Sequence, residues 1–182
     1  MTMRELYACI DGVWPFAAAL EDDNPGFLVG DLDADVTGIL VALDVTAAAI
    51  DAAKAKGCNV IVDHHPVIWR PMSCLPAGKV PYLLAQARVA ALCVHTNLDA
   101  CPGGINDVLA CRLGLLEISP LADPKTPGKP PMARVGTLPA PMRAPELAGY
   151  IKQKLDAAVV RFNACDGKIR RVAVCGGAGA FL

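Results

Sequence analysis

Asn59-Val60-Ile61-Val62-Asp63-His64-His65-Pro66 is an apolar run that ends abruptly in side chains able to bind protons or metals. Asn59–Val62 reads as a strand buried on both faces, because a continuous β-branched run, rather than an alternating one, suits a covered parallel strand. Adjacent histidines inside a strand would point to opposite faces, whereas in the turn that follows a strand they can converge. Pro66 biases His65 toward extended backbone and helps to fix the direction of its ring.

The flanking sequence repeats this design. Ile39-Leu40-Val41-Ala42-Leu43 is another continuous apolar run, read as a strand buried on both faces. Thr46 caps an alanine-rich helix that Gly57 closes. A helix near Pro81–Ala90 leads into a third strand, Ala91-Leu92-Cys93-Val94, and another helix runs from about Ile105 to Leu113. At the amino end, Thr2-Met3-Arg4-Glu5 has capping-box spacing and opens a helix with Leu6, Ile10 and Val13 on one side. Alternating strands and helices predict an α/β fold, a mostly parallel sheet with flanking helices and right-handed crossovers. Loops at the carboxyl edge of such a sheet are where ligands bind. All three histidines, His64, His65 and His95, fall on that edge.

Composition shifts after Ser119, and eight of the fifteen prolines lie between Pro120 and Pro145. The expected organisation is an α/β portion over 1–118, a Pro-rich connection over 119–132 and a second, smaller α/β portion over 133–182. That second portion should hold a strand at Ala133–Leu138, a helix near Pro145–Ala157, a strand at Val159–Asn163 and a final strand at Ile169–Val174.

With 54% apolar residues, 19% charged residues and a net charge of −1, the 182-residue chain is neither disordered nor equipped to neutralise a phosphate backbone. No strong nucleic-acid signal exists, and the basic group Lys152, Lys154, Lys168, Arg170 and Arg171 reads as a solvated face. The longest stretch without Asp, Glu, Lys or Arg is 11 residues, too short for a membrane helix. Glu5 and Asp11 argue against a secretory signal. The eight cysteines include no Cys-x-x-Cys pair, as expected for reduced, mostly buried thiols in a cytoplasmic protein.

His95-Thr96-Asn97-Leu98-Asp99 follows the strand neighbouring the His-His-Pro turn, so three imidazoles and a carboxylate share one sheet edge. Those donors suit zinc, iron, manganese or nickel. Asp99 also fits a helix or turn cap. Asp63 is expected either to orient an imidazole from outside the donor set or to stand in solvent. Trp14 and Trp69 read as packing residues, with Trp69 close enough to the histidines to wall a pocket. Gly176-Gly177-Ala178-Gly179 lacks the lysine and hydroxyl of a P-loop and reads as a tight turn.

Asp23-Asn24-Pro25-Gly26-Phe27-Leu28-Val29-Gly30, Leu43-Asp44-Val45-Thr46, His64-His65-Pro66, His95-Thr96-Asn97-Leu98-Asp99, Gly103-Gly104-Ile105-Asn106-Asp107 and Val172-Ala173-Val174-Cys175-Gly176-Gly177 occur in a familiar order. Together they resemble the Nif-three-like dinuclear metal-centre family, the GTP cyclohydrolase I type 2 homologues. The resemblance implies His64, His65 and Asp99 as metal ligands, with His95 lining the same pocket as a catalytic proton donor or orienting group. It further implies up to two divalent ions per site, a homo-oligomer (a toroidal hexamer), and a small-molecule substrate such as a purine nucleotide. Family chains continue past the glycine turn with a further histidine and a bridging glutamate, so the resemblance also implies truncation at the carboxyl end and an incomplete second portion.

The expected activity is a metal-dependent hydrolase in which activated water attacks carbon or phosphorus. The alternatives are a non-catalytic metal-binding or assembly protein and an inactive fragment. Val62-Asp63-His64-His65 also resembles the Asp-His-His phosphoesterases. Their His-x-x-x-Asp-x-Asp element should come first, however, whereas His95 to Asp99 comes after and Cys101 stands at the second aspartate.

Overall fold

A computed structural model describes residues 1–122, 128 and 130–179. The chain divides into two compact units, Met1–Cys101 and Pro102–Leu182. No helix among the described residues is long and apolar enough to cross a membrane.

The first unit is built on a four-stranded sheet. Helix α1 (Met3–Val13) begins at the expected capping box: Thr2 Oγ1 accepts from the Glu5 amide, and the Glu5 carboxylate accepts from the Thr2 amide. Strands β1 (Gly26–Val29) and β2 (Ile39–Ala42) follow, then α2 (Ala47–Ala55) behind its Thr46 cap, and β3 (Val60–Asp63). Helix α3 (Val80–Ala87), β4 (Ala90–Cys93) and the short α4 (Thr96–Ala100) complete the unit. The strand order is β1-β4-β3-β2, with β2, β3 and β4 parallel and β1 antiparallel to β4.

Side chains alternate across the central strands and feed two cores. Ile61 and Ala91 pack with Ile50, Ala53 and Leu84 of α2 and α3 on one face. Val60, Ala90 and Leu92 pack with Met3 and Leu6 of α1 on the other. Burial on both faces therefore belongs to β3 and β4. The same expectation for Ile39–Leu43 is corrected: β2 is an edge strand, with Leu40 and Ala42 packed inward while Ile39 is 43% and Val41 79% exposed. A strand at the sheet margin has helix cover on one side only, which no apolar run can reveal. The buried stripe of α1 likewise stops short, since Ile10 packs and Val13, in the last turn, stands exposed.

In the second unit, α5 (Ile105–Arg112) and α6 (Ala144–Lys154) accompany β5 (Leu116–Leu121), β6 (Ala133–Met142) and β7 (Ile169–Val174), an antiparallel sheet in the order β5-β6-β7. Its core contains Ala110, Leu113, Leu115, Leu138 and Val174. The stretch expected to connect the portions, 119–132, starts within β5, where Ser119, Pro120 and Leu121 pair with Val135, Arg134 and Ala133. Its residues 123–127 and 129 lie outside the described residues. The strand expected at Val159–Asn163 does not form, and Val159 and Phe162 are exposed. Their β-propensity finds no partner strand, and without a ladder it does not specify a strand.

Two glycines carry different loads. Gly30 has φ +128°, and a Cβ there would meet Ala90 Cβ at 2.7 Å and Phe27 Cζ at 2.9 Å. Gly57 has φ +70°, and a Cβ there would meet nothing within 4 Å. Gly57→Ala is expected to cost about 1 kcal/mol of backbone strain. Gly30→Ala should cost about 1–3 kcal/mol more through overpacking. Urea midpoints of the two variants check the order.

Candidate metal centre

The site lies where β3 and β4 end. Their parallel register sets Asp63 beside Cys93, and the Val94 amide donates to the Asp63 carbonyl at 2.8 Å. Each strand then turns out of the sheet at the same level, carrying His64 and His65 from β3 and His95 from β4. The His65 amide is held by the Leu43 carbonyl at 3.0 Å, which ties the turn to the end of β2. His95 caps α4, and its amide donates to Asn97 Oδ1 at 3.0 Å. This short helix, absent from the expected element order, places Asp99 back over the histidines.

One ligand atom from each of His64, His65 and His95 lies within 4.8 Å of the other two, a candidate metal-binding group. Ring centroids are 5.0 Å apart for His64 and His95, 5.2 Å for His64 and His65, and 5.8 Å for His65 and His95. Asp99 stands beside His64, its Oδ1 3.7 Å from Nε2. All four residues singled out from the sequence thus come to one sheet edge.

Every imidazole is braced through Nδ1. His64 Nδ1 meets the Val94 carbonyl at 2.9 Å, His65 Nδ1 meets Asp44 Oδ1 at 2.7 Å, and His95 Nδ1 meets the two Asp23 oxygens at 2.8 and 2.9 Å. A carbonyl or an ionised carboxylate only accepts, so each Nδ1 carries the hydrogen, and it is the neutral ring whose Nε2 has a lone pair to offer. That is the arrangement in which a metal-ligating histidine donates its other N–H to a carboxylate or carbonyl. Imidazole nitrogens with carboxylate oxygens form a donor set that fits zinc, iron, manganese or nickel.

The sequence pattern does not single out Asp23 and Asp44 for this role. Asp44 has a positional signal, since it follows β2 at the same carboxyl edge. Asp23 has none, because its contact with His95 spans 72 positions of the chain. Asp23 also accepts from the Thr96 hydroxyl and amide and from the Asn24 amide. Burial alone would raise its carboxyl, but the hydrogen bonds from His95, Thr96 and Asn24 outweigh it and hold the group down at about 2. At Asp99, burial pushes the carboxyl upward, opposed by the nearby imidazoles. Trp69 flanks the cluster edge-on to His95, with centroids 5.6 Å apart, and is half-exposed rather than a packing residue.

Asp63 meets neither expectation. It is 2% exposed, so it does not stand in solvent, and it orients no imidazole. Neither of its carboxylate oxygens has a hydrogen-bond partner among the described residues. Burial lifts this carboxyl to about 7. The thiols also depart from expectation. Cys9, Cys74, Cys111 and Cys165 are exposed, and only Cys93 and Cys101 are fully buried.

Asp23 and Asp63 should give opposite pH signatures in metal-free protein. The Asp23 carboxyl is depressed on folding, so its contribution, about 2 kcal/mol, is present above pH 4 and lost as pH falls toward 2. The Asp63 carboxyl is raised, so stability is intact below pH 4 and falls by up to about 4 kcal/mol as pH rises through 7. Asp63→Asn should remove that decline and Asp23→Asn the acid-side loss, as read by denaturant unfolding from pH 2 to 8.

Similarity to known proteins extends along the whole chain. The family model Duf34/NIF3 (NGG1p interacting factor 3) matches residues 1–182. A "GTP cyclohydrolase 1 type 2 homolog" from Staphylococcus aureus is 40% identical over 122 residues, 65% of this chain and 33% of the relative. A protein of the same name from Streptomyces coelicolor is 32% identical over 189 aligned residues, 99% of this chain and 66% of the relative. The chain therefore matches between a third and two thirds of the length of these curated relatives. The crystal structure of a Staphylococcus aureus hypothetical protein superposes with a TM-score of 0.88 at 30% identity, covering 100% of this chain and 73% of that one. The α/β fold, the histidine-rich sheet edge and a match over its full length agree: this chain belongs to the Duf34/NIF3 family.

Proposed function

We propose that this chain is a divalent-metal-binding protein and a metal-dependent hydrolase acting on a nucleotide or a related small molecule. The supporting observation is the bracing of all three imidazoles through Nδ1, together with a ligand nitrogen of each ring lying within 4.8 Å of the other two. His64, His65 and Asp99 hold the cation in this reading. A bound divalent cation would supply Lewis-acid polarisation and an activated water. His95, fixed by Asp23, presents Nε2 to accept or donate a proton. Trp69 flanks the cluster beside His95 and offers an exposed ring against which a planar base can lie. The nucleotide class follows the name that the relatives carry.

Self-assembly belongs to the same reading. Ile39, Val41 and Leu43 alternate along the β2 margin and are exposed, a surface suited to burial between copies. Six copies is the number the family resemblance implies.

The proximity of His95 to His64 and His65 favours a second assignment, in which its Nε2 is the third nitrogen ligand. Elemental analysis after zinc or manganese loading, with turnover measured on a nucleotide panel headed by GTP, separates the two. His64→Ala and Asp99→Ala should lose both metal and turnover while remaining folded by circular dichroism. His95→Gln should keep its metal and lose turnover by about 100-fold or more. Loss of metal from His95→Gln would make His95 a ligand. Wild-type protein that retains no metal after loading would overturn the proposal.

A further inference from the structure

We propose that Asp63 is the buried counter-charge of the cation site: it acts on a cation held by the neighbouring imidazoles through its charge and is not itself a ligand. This inference rests on the metal-centre reading above. Four carboxylates surround the three histidines, and three of them are accounted for. Asp23 and Asp44 brace His95 and His65, and Asp99 stands beside His64. Asp63 alone among the four is sealed from water while neither oxygen has a hydrogen-bond partner among the described residues.

The fold itself gives Asp63 no reason to be acidic. Its backbone completes the ladder, registered against Ala42 and Cys93 and accepting from Val94, and any residue type could do that. Its neighbours two positions back in register, Ile61 and Ala91, belong to the apolar core. A carboxylate placed against that core is costly unless a charge answers it. Asp63 directly precedes His64 and His65 and is registered beside Cys93, two positions before His95. A divalent cation among those three rings would put the missing positive charge at that end of the strand. Low-dielectric surroundings make the attraction stronger than the same pair would feel in water.

The thermodynamic consequence is reciprocal. The residue that burdens the metal-free protein strengthens metal binding, because the cation relieves the burden. Asp63→Asn keeps the shape and removes the charge, and Asp63→Thr provides a smaller replacement should the amide disturb folding. For wild type and both variants, zinc affinity is measured by chelator competition, and thermal midpoints are read in chelator and in saturating zinc. The expected result is a higher midpoint than wild type without metal, a smaller zinc-induced rise, and zinc affinity weakened roughly 10- to 100-fold. Equal zinc affinity in wild type and both variants would overturn the role of Asp63 while leaving the metal centre standing. A wild-type protein with no zinc-induced rise would instead overturn the metal-centre reading on which it depends.

Discussion

The parallel pairing of β3 with β4 is the constraint on which the candidate site depends. Val60 to Asp63 run in register with Ala90 to Cys93, so the two strands leave the sheet at the same height. His64 and His95 are therefore neighbours although 31 positions separate them in the chain. A slip of one residue would turn the side chains of a strand to the opposite face, exchanging Ile61 with Val60 between cores and separating the imidazoles. The two helical layers that bury Ile61 and Val60 are what make such a slip expensive. Core packing and site geometry thus draw on the same register.

Converging histidines alone do not make a donor set; their protonation must also be arranged. Here each ring is turned by a different device: a strand-end carbonyl for His64, an exposed carboxylate for His65 and a buried, multiply bonded carboxylate for His95. The three devices come from the end of β4, from the turn after β2 and from the segment before β1, so they draw on separate parts of the unit. Asp23 is the firmest of them, since its hydrogen bonds hold it ionised despite its burial. The surrounding carboxylates leave an acidic cradle around the imidazoles, the electrostatic setting in which a cation is stabilised and an anion is not.

Much of the fold was legible because its signals are local. The Thr2–Glu5 capping box, the Thr46 cap and the apolar runs of β3 and β4 announce themselves within a few residues. The errors fall where a local pattern needs a distant partner. Ile39–Leu43 has the composition of a central strand and lies at the margin; Val159–Asn163 has strand-forming residues and no ladder to join. The short α4 escaped because five residues carry too little periodicity to be read.

The sequence by itself determined the α/β pattern, the family resemblance and the residue types of the site. His-His-Pro after one strand and His-Thr-Asn-Leu-Asp after the next require only chain order to reach a common sheet edge. Tertiary structure decided which strand is central, which ring nitrogen is braced and which carboxylate is buried with no hydrogen-bond partner among the described residues. Those properties arise from contacts between segments far apart in the chain: Asp23 with His95, Asp44 with His65, and the packing that seals Asp63 from water. Solvent exclusion and hydrogen-bond direction exist only once those segments meet, and so no reading of neighbouring residues contains them.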